Sequence, residues 1–271
     1  MSKRKRMKKW PVVFLGVLLT LFCIACLLVY FLQEKLLFLP TKLSRQYQFT
    51  FKQPFEEGWL KDQQGNALNA VLFDVPHARG VIYYLHGNAG SIDNWGSVAP
   101  LYNALGCAVF LLDYPGYGKS EGAIQSEQQL FSAAEAGYAY LTTRYAEKDI
   151  VILGYSIGSG PACWLSARHN QRLLILQAPY YSMKDLLRKK APLLPAFLLR
   201  YPLESHLYLA QCKSPVVIYH GEEDNLIYPG SSKKLAQLFK PGDELVLLQQ
   251  QGHNGITDNL QYQQHLRGLL R

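Results

Sequence analysis

Residues 150–158 of this 271-residue chain read IVILGYSIG. The first four are Ile, Val, Ile and Leu, a run typical of a buried strand. The next five fit the pattern Gly-x-Ser-x-Gly, in which a strand ends in a sharp turn that exposes the Ser hydroxyl and a helix follows. Because residues 159–169 are compatible with a helix, the sequence predicts that Ser156 is a nucleophile at the end of a strand.

The same pattern occurs a second time, at residues 118–122 (GKSEG). Here Ser120 follows DYPGY (113–117), a segment rich in turn-forming residues. No helix is predicted before about residue 126. Since the motif functions only between a strand and a helix, Ser156 is favoured over Ser120, which is interpreted as a loop or capping residue.

On both sides of these motifs, short apolar segments alternate with segments compatible with helices. The predicted strands are rich in Val, Ile, Leu and aromatic residues and cover 68–74, 81–85, 108–112, 150–154, 173–177, 216–220 and 245–249. The predicted helices cover about 97–105, 126–146, 159–169, 231–239 and 256–270. Most strands are continuously apolar, as expected when a sheet is covered on both faces. The predicted fold class is therefore α/β, with a mostly parallel central sheet flanked by helices.

Residues 180–210 interrupt this alternation with a long insert that contains three prolines. Its leucines recur at helical spacing, which predicts a small cap of short helices interrupted by proline. Basic residues are interleaved with the leucines. Two interpretations stay open: the leucines pack over the core, or the cap rests on anionic lipid and admits acyl chains.

Residues 10–32 (WPVVFLGVLLTLFCIACLLVYFL) form a run of 23 positions without a charge. A helix needs roughly 20 apolar residues to cross the hydrocarbon core of a bilayer. The apolar region of a cleaved signal peptide has only about 7–15 residues. The run therefore favours an uncleaved transmembrane anchor.

The net charge of +8 is concentrated near the N-terminus. Residues 1–9 hold six basic groups, and the other 22 Lys and Arg face 20 Asp and Glu, so the rest carries only +2. This balance gives no support for a nucleic-acid-binding body. Basic flanks stay on the cytoplasmic side, so we expect a single-pass membrane protein with a cytoplasmic N-terminus and its globular domain on the outer side.

The predicted domain organisation follows from these segments. A basic cytoplasmic arm (1–9) precedes the anchor (10–32), a connector (33–56) and a globular domain (57–271). The bilayer, contacted through the anchor, is the one macromolecular partner that the sequence predicts.

A Ser hydroxyl needs a general base, and the base needs an acid that orients it. In the predicted fold the chain order is Ser, acid, His. His253 lies in a Gly-flanked loop just past the last predicted strand, whereas His265 lies in the terminal amphipathic helix. His253 is therefore favoured as the base. His86 precedes Ser156 in the chain, which favours a structural role for it.

Three acidic residues, Glu222, Glu223 and Asp224, follow the predicted strand 216–220. The residues alone leave all three open as the orienting acid.

Acyl transfer also needs donors for the developing oxyanion. One is the backbone N–H of Ile157, directly after the nucleophile. The second is expected from the loop HGNAG (86–90), where Asn88 is the favoured donor and Ala89 a weaker alternative.

The set of motifs resembles the α/β-hydrolase superfamily and, more narrowly, its Bem46-like group, which includes single-pass membrane hydrolases. The segments that carry the resemblance are HGNAG (86–90), DYPGYGKSEG (113–122), GYSIGSG (154–160), HGEED (220–224), GHN (252–254) and QEKLLFLP (33–40). The resemblance covers about residues 33–271 and is weak over 180–210. It implies an α/β-hydrolase fold, a triad of Ser156, Asp224 and His253, and an oxyanion hole formed by Asn88 and Ile157.

Members of that group are serine hydrolases that act on esters or thioesters. The predicted function is therefore a membrane-anchored serine hydrolase that forms an acyl-enzyme on Ser156 with a small-molecule or lipid-like acyl substrate. A peptidase or amidase on the same scaffold and a non-catalytic binding protein are the alternatives. The His residues are scattered and no phosphate loop or dinucleotide fingerprint is present, so neither a metal nor a cofactor is predicted.

Overall fold

The central element is an eight-stranded sheet with the order β10-β9-β8-β7-β4-β6-β3-β2. The computed structural model describes residues 10–270, so the predicted arm (1–9) lies outside the described residues. The strands are β1 (Leu39–Pro40), β2 (Glu56–Lys61), β3 (Ala67–Phe73), β4 (Val81–Leu85), β5 (Ala89–Gly90), β6 (Ala108–Leu112), β7 (Ile150–Tyr155), β8 (Leu173–Gln177), β9 (Val216–Gly221) and β10 (Glu244–Leu248).

Six neighbouring strands of the sheet, from β10 to β6, run parallel. β3 pairs antiparallel with β6, and the edge strand β2 pairs antiparallel with β3. The seven predicted strands agree with β3, β4 and β6 to β10 to within a residue at each end. The predicted α/β class with a mostly parallel sheet is confirmed.

Helices cover both faces of the sheet. The α-helices of the described residues are α1 (Trp10–Leu37), which extends away from the sheet, and α2 (Ile92–Trp95), α3 (Ala99–Ala104), α4 (Glu127–Thr142), α5 (Ser159–Ser166), α6 (Met183–Lys190), α7 (Ser205–Leu209), α8 (Gly230–Leu235) and α9 (Leu260–Leu269). Alternate residues of β4 point to opposite faces: Tyr83 joins the cluster that contains α4 and α5 residues, and Tyr84 joins the one that contains α3 and α9 residues. This two-sided burial explains why the strands are continuously apolar.

The strand β2 was not predicted from the sequence. It reads EEGWLK and has an exposed or half-buried residue at every position, so it carries little apolar signal. Its pairing with β3 depends on contacts between strands rather than on its own composition.

The insert 180–210 forms a small helical cap, as predicted. It contains α6, a 3-10 turn at Ala196–Leu198, and α7. The Ser182 hydroxyl accepts a hydrogen bond from the Asp185 N–H and so caps the start of α6.

The helix α1 contains the predicted anchor and continues five residues beyond it, into the predicted connector. This helix has 28 residues, and its most apolar stretch, with a mean hydropathy of 3.1, is not buried against the rest of the protein. By length and composition, this helix is compatible with a membrane span. The extension begins at Gln33, which is buried against the cap.

Candidate active site

Ser156 lies at the junction between β7 and the helical turn that leads into α5. Its backbone has φ = +53°, in the left-handed region that a residue with a Cβ adopts at a cost of about 1–2 kcal/mol. Strain of this kind at a nucleophile is the property expected of the sharp strand-to-helix turn. The predicted position of Ser156 in the fold is therefore the observed one.

The two glycines of the motif allow this turn to form. A Cβ at Gly158 would collide with the carbonyl oxygens of Leu85 and His86 at the end of β4. A Cβ at Gly154 would collide with Ala162 and with the Gly158 carbonyl. Glycine is required at both positions because neighbouring backbone comes too close for any side chain.

Ser156, His253 and Asp224 lie in one chain of hydrogen bonds. His253 Nδ1 is 2.6 Å from Asp224 Oδ2, and His253 Nε2 is 3.0 Å from Ser156 Oγ. Because a carboxylate only accepts, Nδ1 carries the proton, and Nε2 of the neutral ring accepts from the Ser156 hydroxyl. The three residues come from β7, the loop after β10 and the loop after β9, which all end at the same edge of the sheet.

Asp224 is buried and held in one orientation. Its Oδ1 accepts hydrogen bonds from the N–H groups of Leu226 and Ile227 at 2.8 and 2.9 Å. Burial alone would raise the pKa of this carboxyl. Hydrogen bonds from His220 and His253 outweigh burial and hold the pKa well below its usual range. Asp224 is therefore a carboxylate at neutral pH.

A second histidine, His220, also contacts Asp224, and this contact was not predicted from the sequence. His220 is fully buried at the end of β9, with Nε2 2.8 Å from the Ile227 carbonyl and 3.2 Å from Asp224 Oδ2. Both partners accept, so the proton is on Nε2, and the Ser232 hydroxyl donates to Nδ1 at 2.6 Å. The sequence does carry one signal for His220: it is a polar residue at the last position of the predicted strand 216–220, four residues before Asp224.

The two predicted oxyanion donors lie beside Ser156. Asn88 and Ile157 line the same cavity as the nucleophile. The Asn88 carbonyl accepts from the Leu39 N–H at 2.8 Å and from the Tyr117 hydroxyl at 2.7 Å. These bonds fix the loop after β4, while the parallel pairing of β1 with β5 holds its next two residues.

Comparison with known proteins places the chain in a family. Residues 80–208 match the family model described as α/β hydrolase fold. Alpha/beta hydrolase domain-containing protein 17C of Xenopus tropicalis is 31% identical over 217 residues, which cover 76% of this chain and 67% of that protein. This chain is an α/β-hydrolase.

Further similarities agree with that assignment. Alpha/beta hydrolase domain-containing protein 17B of Homo sapiens is 29% identical to this hydrolase over 241 residues, covering 85% of this chain and 80% of that protein. An esterase from Pyrococcus furiosus has a TM-score of 0.69 at 18% identity, covering 86% and 97% of the two chains. The structural likeness shows the fold. The Bem46-like resemblance is consistent with these relatives.

In this hydrolase, the cavity at Ser156 has a mostly apolar wall. It has a volume of about 130 Å³. Seven of its lining residues come from the end of α1, from the cap and from the loop after β9: Leu36, Leu37, Tyr180, Met183, Leu186, Leu226 and Ile227. The end of the membrane-compatible helix is therefore part of the site, a feature that the sequence did not predict.

The alternative nucleophile, Ser120, lies in a structural arrangement. Its hydroxyl donates to the Asp113 carbonyl at 2.7 Å and accepts from the Asn69 N–H at 2.8 Å. His86, the alternative base, is fully buried with Nδ1 2.8 Å from the Gly87 carbonyl. Neither residue belongs to the chain of hydrogen bonds at Ser156.

The remaining alternatives are also placed elsewhere. Glu222 and Glu223 are exposed, whereas Asp224 is buried beside His253. His265 lies on α9 with Nδ1 2.7 Å from the Tyr219 hydroxyl. Within residues 10–270, no group of three or more His, Cys, Asp or Glu side chains is arranged to hold a metal ion.

Proposed function

We propose that this hydrolase is a membrane-anchored serine hydrolase that cleaves a carboxylic ester or thioester through an acyl-enzyme on Ser156. The observation that carries the proposal is the unbroken hydrogen-bond chain from Asp224 through His253 to Ser156. Its order and geometry are those of a nucleophile, a base and an orienting acid.

In the first step, Ser156 Oγ attacks the acyl carbon while its proton passes to His253 Nε2. The bond to the alcohol or thiol then breaks, and the leaving group takes that proton from Nε2. In the second step, a water molecule gives its proton to His253 and attacks the acyl-enzyme. The carboxylic acid leaves as Ser156 regains a proton. Asp224 stabilises the imidazolium that forms twice in this cycle.

The negative charge on the acyl oxygen would be stabilised by the backbone N–H groups of Ile157 and Asn88. Both residues line the cavity at Ser156. The Asn88 carbonyl accepts hydrogen bonds from the Leu39 N–H and the Tyr117 hydroxyl. Such bonds hold the loop in one conformation before the substrate arrives.

The apolar wall of the cavity supports an acyl chain as the group that binds beside Ser156. Leucines from α1 supply part of that wall, which supports a lipid-like substrate near the membrane. The basic residues before α1 support a cytoplasmic N-terminus and a catalytic domain on the outer side of the membrane.

Labelling with a fluorophosphonate tests the nucleophile in the full-length chain. Wild type should be labelled, and Ser156→Ala should not, because only an activated serine reacts with this probe. Ser97→Ala, at an exposed serine whose hydroxyl bonds a nearby carbonyl, is the matched control and should be labelled like wild type. Labelling that persists in Ser156→Ala would show that another residue is the nucleophile.

A further inference from the structure

Two large apolar side chains of the cap point into solvent. We define the cap tip as residues 191–198, between the end of α6 and the last residue of the 3-10 turn. Leu193 and Phe197 in this tip are each 83% exposed. By contrast, Leu186 and Leu199 on either side of the tip pack against the core. Packing over the core therefore explains the flanking leucines and leaves the tip unexplained.

The cap tip is joined to the end of α1 by hydrogen bonds. Gln33 Nε2 donates to the Leu198 carbonyl at 2.6 Å, and Gln33 Oε1 accepts from the Arg200 N–H at 2.9 Å. The Arg200 side chain also pairs with Glu34 at 2.5 Å. The tip therefore lies at the level of the first polar residues that follow the apolar part of α1.

That level corresponds to the surface of a bilayer. Trp10 and Tyr30 are 20 residues apart on α1, which at 1.5 Å per residue is about 30 Å, the thickness of the hydrocarbon core. Aromatic residues of this kind favour the two interfaces. Gln33 lies less than one turn beyond Tyr30, and Phe197 is the residue before Leu198. Phe197 is therefore adjacent to a residue that α1 holds at the level of this interface.

The charges around the tip match an anionic surface. Arg188, Lys189 and Lys190 are exposed at the end of α6, directly before the tip. Basic residues at this position are attracted to an anionic membrane surface. An apolar tip beside a basic cluster is the pattern of segments that lie in the interface.

We propose that the cap tip inserts Leu193 and Phe197 into the bilayer leaflet from which α1 emerges. The proposal rests on the membrane anchoring stated under the proposed function. Because Leu36 and Leu37 line the cavity at Ser156, the inserted tip and the end of α1 together turn that cavity toward the lipid. An acyl chain can then pass from the leaflet to Ser156 without crossing water.

A fluorescence experiment on the full-length chain tests the insertion. The variants Phe197→Trp and Thr143→Trp are reconstituted in vesicles of phosphatidylcholine and phosphatidylglycerol, with or without bromine on the acyl chains near the head groups. Thr143 is an exposed residue just after α4, at the edge of the sheet opposite Ser156. The added emission of Phe197→Trp should be quenched by brominated lipid, and that of Thr143→Trp should not. Equal quenching in the two variants overturns the proposal.

Two readouts separate this proposal from the anchoring on which it rests. Wild type that does not float with the vesicles would contradict the anchoring itself. Wild type that floats while Phe197→Trp stays unquenched would contradict the insertion alone.

A kinetic experiment gives an independent result. In the double variant Leu193→Asp/Phe197→Asp, we expect hydrolysis of p-nitrophenyl dodecanoate dissolved in the vesicles to fall by about a hundredfold, since each of the two buried apolar side chains contributes about tenfold. Hydrolysis of water-soluble p-nitrophenyl acetate should be unchanged. A parallel loss on both esters, or no loss on either, would overturn the role of the tip, because neither result separates the lipid-dissolved ester from the soluble one.

Discussion

The chain contains two Gly-x-Ser-x-Gly segments, and the serine and the glycines have opposite structural roles in the two. At residues 154–158 the serine takes the left-handed conformation, and the glycines leave room for neighbouring backbone. At residues 118–122 the glycines take the left-handed conformation, with φ = +47° and +77°, and Ser120 bonds two backbone groups. The first segment presents its hydroxyl to a base, whereas the second uses it to close a loop.

Each serine also has a histidine and an aspartate in its neighbourhood. Near Ser120 these are His86 and Asp113, with His86 Nε2 3.6 Å from Asp113 Oδ1. Burial raises the pKa of Asp113 to about 8, whereas hydrogen bonds lower the pKa of Asp224 despite its burial. The two carboxylates differ in their donors: both oxygens of Asp224 accept hydrogen bonds, whereas Asp113 Oδ2 has no hydrogen-bond partner among the described residues.

The largest expected effect is on catalysis and concerns the group formed by Ser156, His253 and Asp224. Asp224→Asn should lower kcat by about 10⁴-fold, because the amide no longer holds His253 with its proton on Nδ1. The measurement is steady-state hydrolysis of p-nitrophenyl acetate by the full-length protein. The exposed neighbour Glu223→Gln is the control and should keep wild-type kcat. A loss in Asp224→Asn of less than tenfold would break the proposed difference between the two carboxylates.

The next effect tests the close backbone approach at the first motif. Gly158→Ala should destabilise the fold by about 3 kcal/mol, because the new Cβ meets the carbonyls of Leu85 and His86. Gly268→Ala is the control: it is exposed on α9, and its Cβ would have open space. Urea denaturation followed by fluorescence measures both. Equal stability of the two variants would contradict the tight turn.

At the second motif, the expected effect is on stability and not on chemistry. Ser120→Ala should cost about 2 kcal/mol, because it leaves the buried Asn69 N–H without its acceptor. The molecules of this variant that remain folded should have wild-type kcat. Active-site titration with a fluorophosphonate, combined with urea denaturation, separates the two quantities. A large drop in kcat per labelled site would give Ser120 a catalytic role.

The smallest effect concerns pH. A carboxyl whose pKa is about 8 when folded, against about 3.9 when unfolded, gives stability that is lost as the pH rises toward 8. Relative to wild type, the free energy of unfolding of Asp113→Asn should therefore rise by about 1–2 kcal/mol between pH 6.5 and 8. Below about pH 6.5 His86 acts in the opposite direction, because burial lowers its pKa to about 4. Denaturation curves across this range measure the difference, and a constant difference would mean that Asp113 is ionised.

Most of the sheet was predictable because its strands are continuous apolar runs with little ambiguity. The edge strand β2 was not, since Glu56–Lys61 is half-exposed and is held by its pairing with β3. The fold class followed from the alternation of strands and helices, which is a property of local sequence.

The sequence predicted which residues lie in the candidate site, but it did not predict the contacts that they make. Ser156 and His253 follow from a motif and from chain order, and Asp224 needed a family resemblance to be separated from its neighbours. Burial separates them in the structure, since Asp224 is buried and Glu223 is exposed. His220 was missed because its role depends on partners in the loop after β9 and on α8, which the strand pattern does not signal. The bond between Gln33 and the cap joins positions 165 residues apart, and no local pattern signals it.

The pairing of β1 with β5 has a consequence for how this hydrolase would respond to proteolysis. Leu39–Pro40 follows α1 directly and holds Ala89–Gly90, next to the loop that carries Asn88. A protease that cut α1 near Leu36 would remove part of the cavity wall and loosen the strand that supports this loop. A fragment that lacks α1 would therefore keep the sheet but have an impaired site, so α1 contributes to the site and is more than an appended helix.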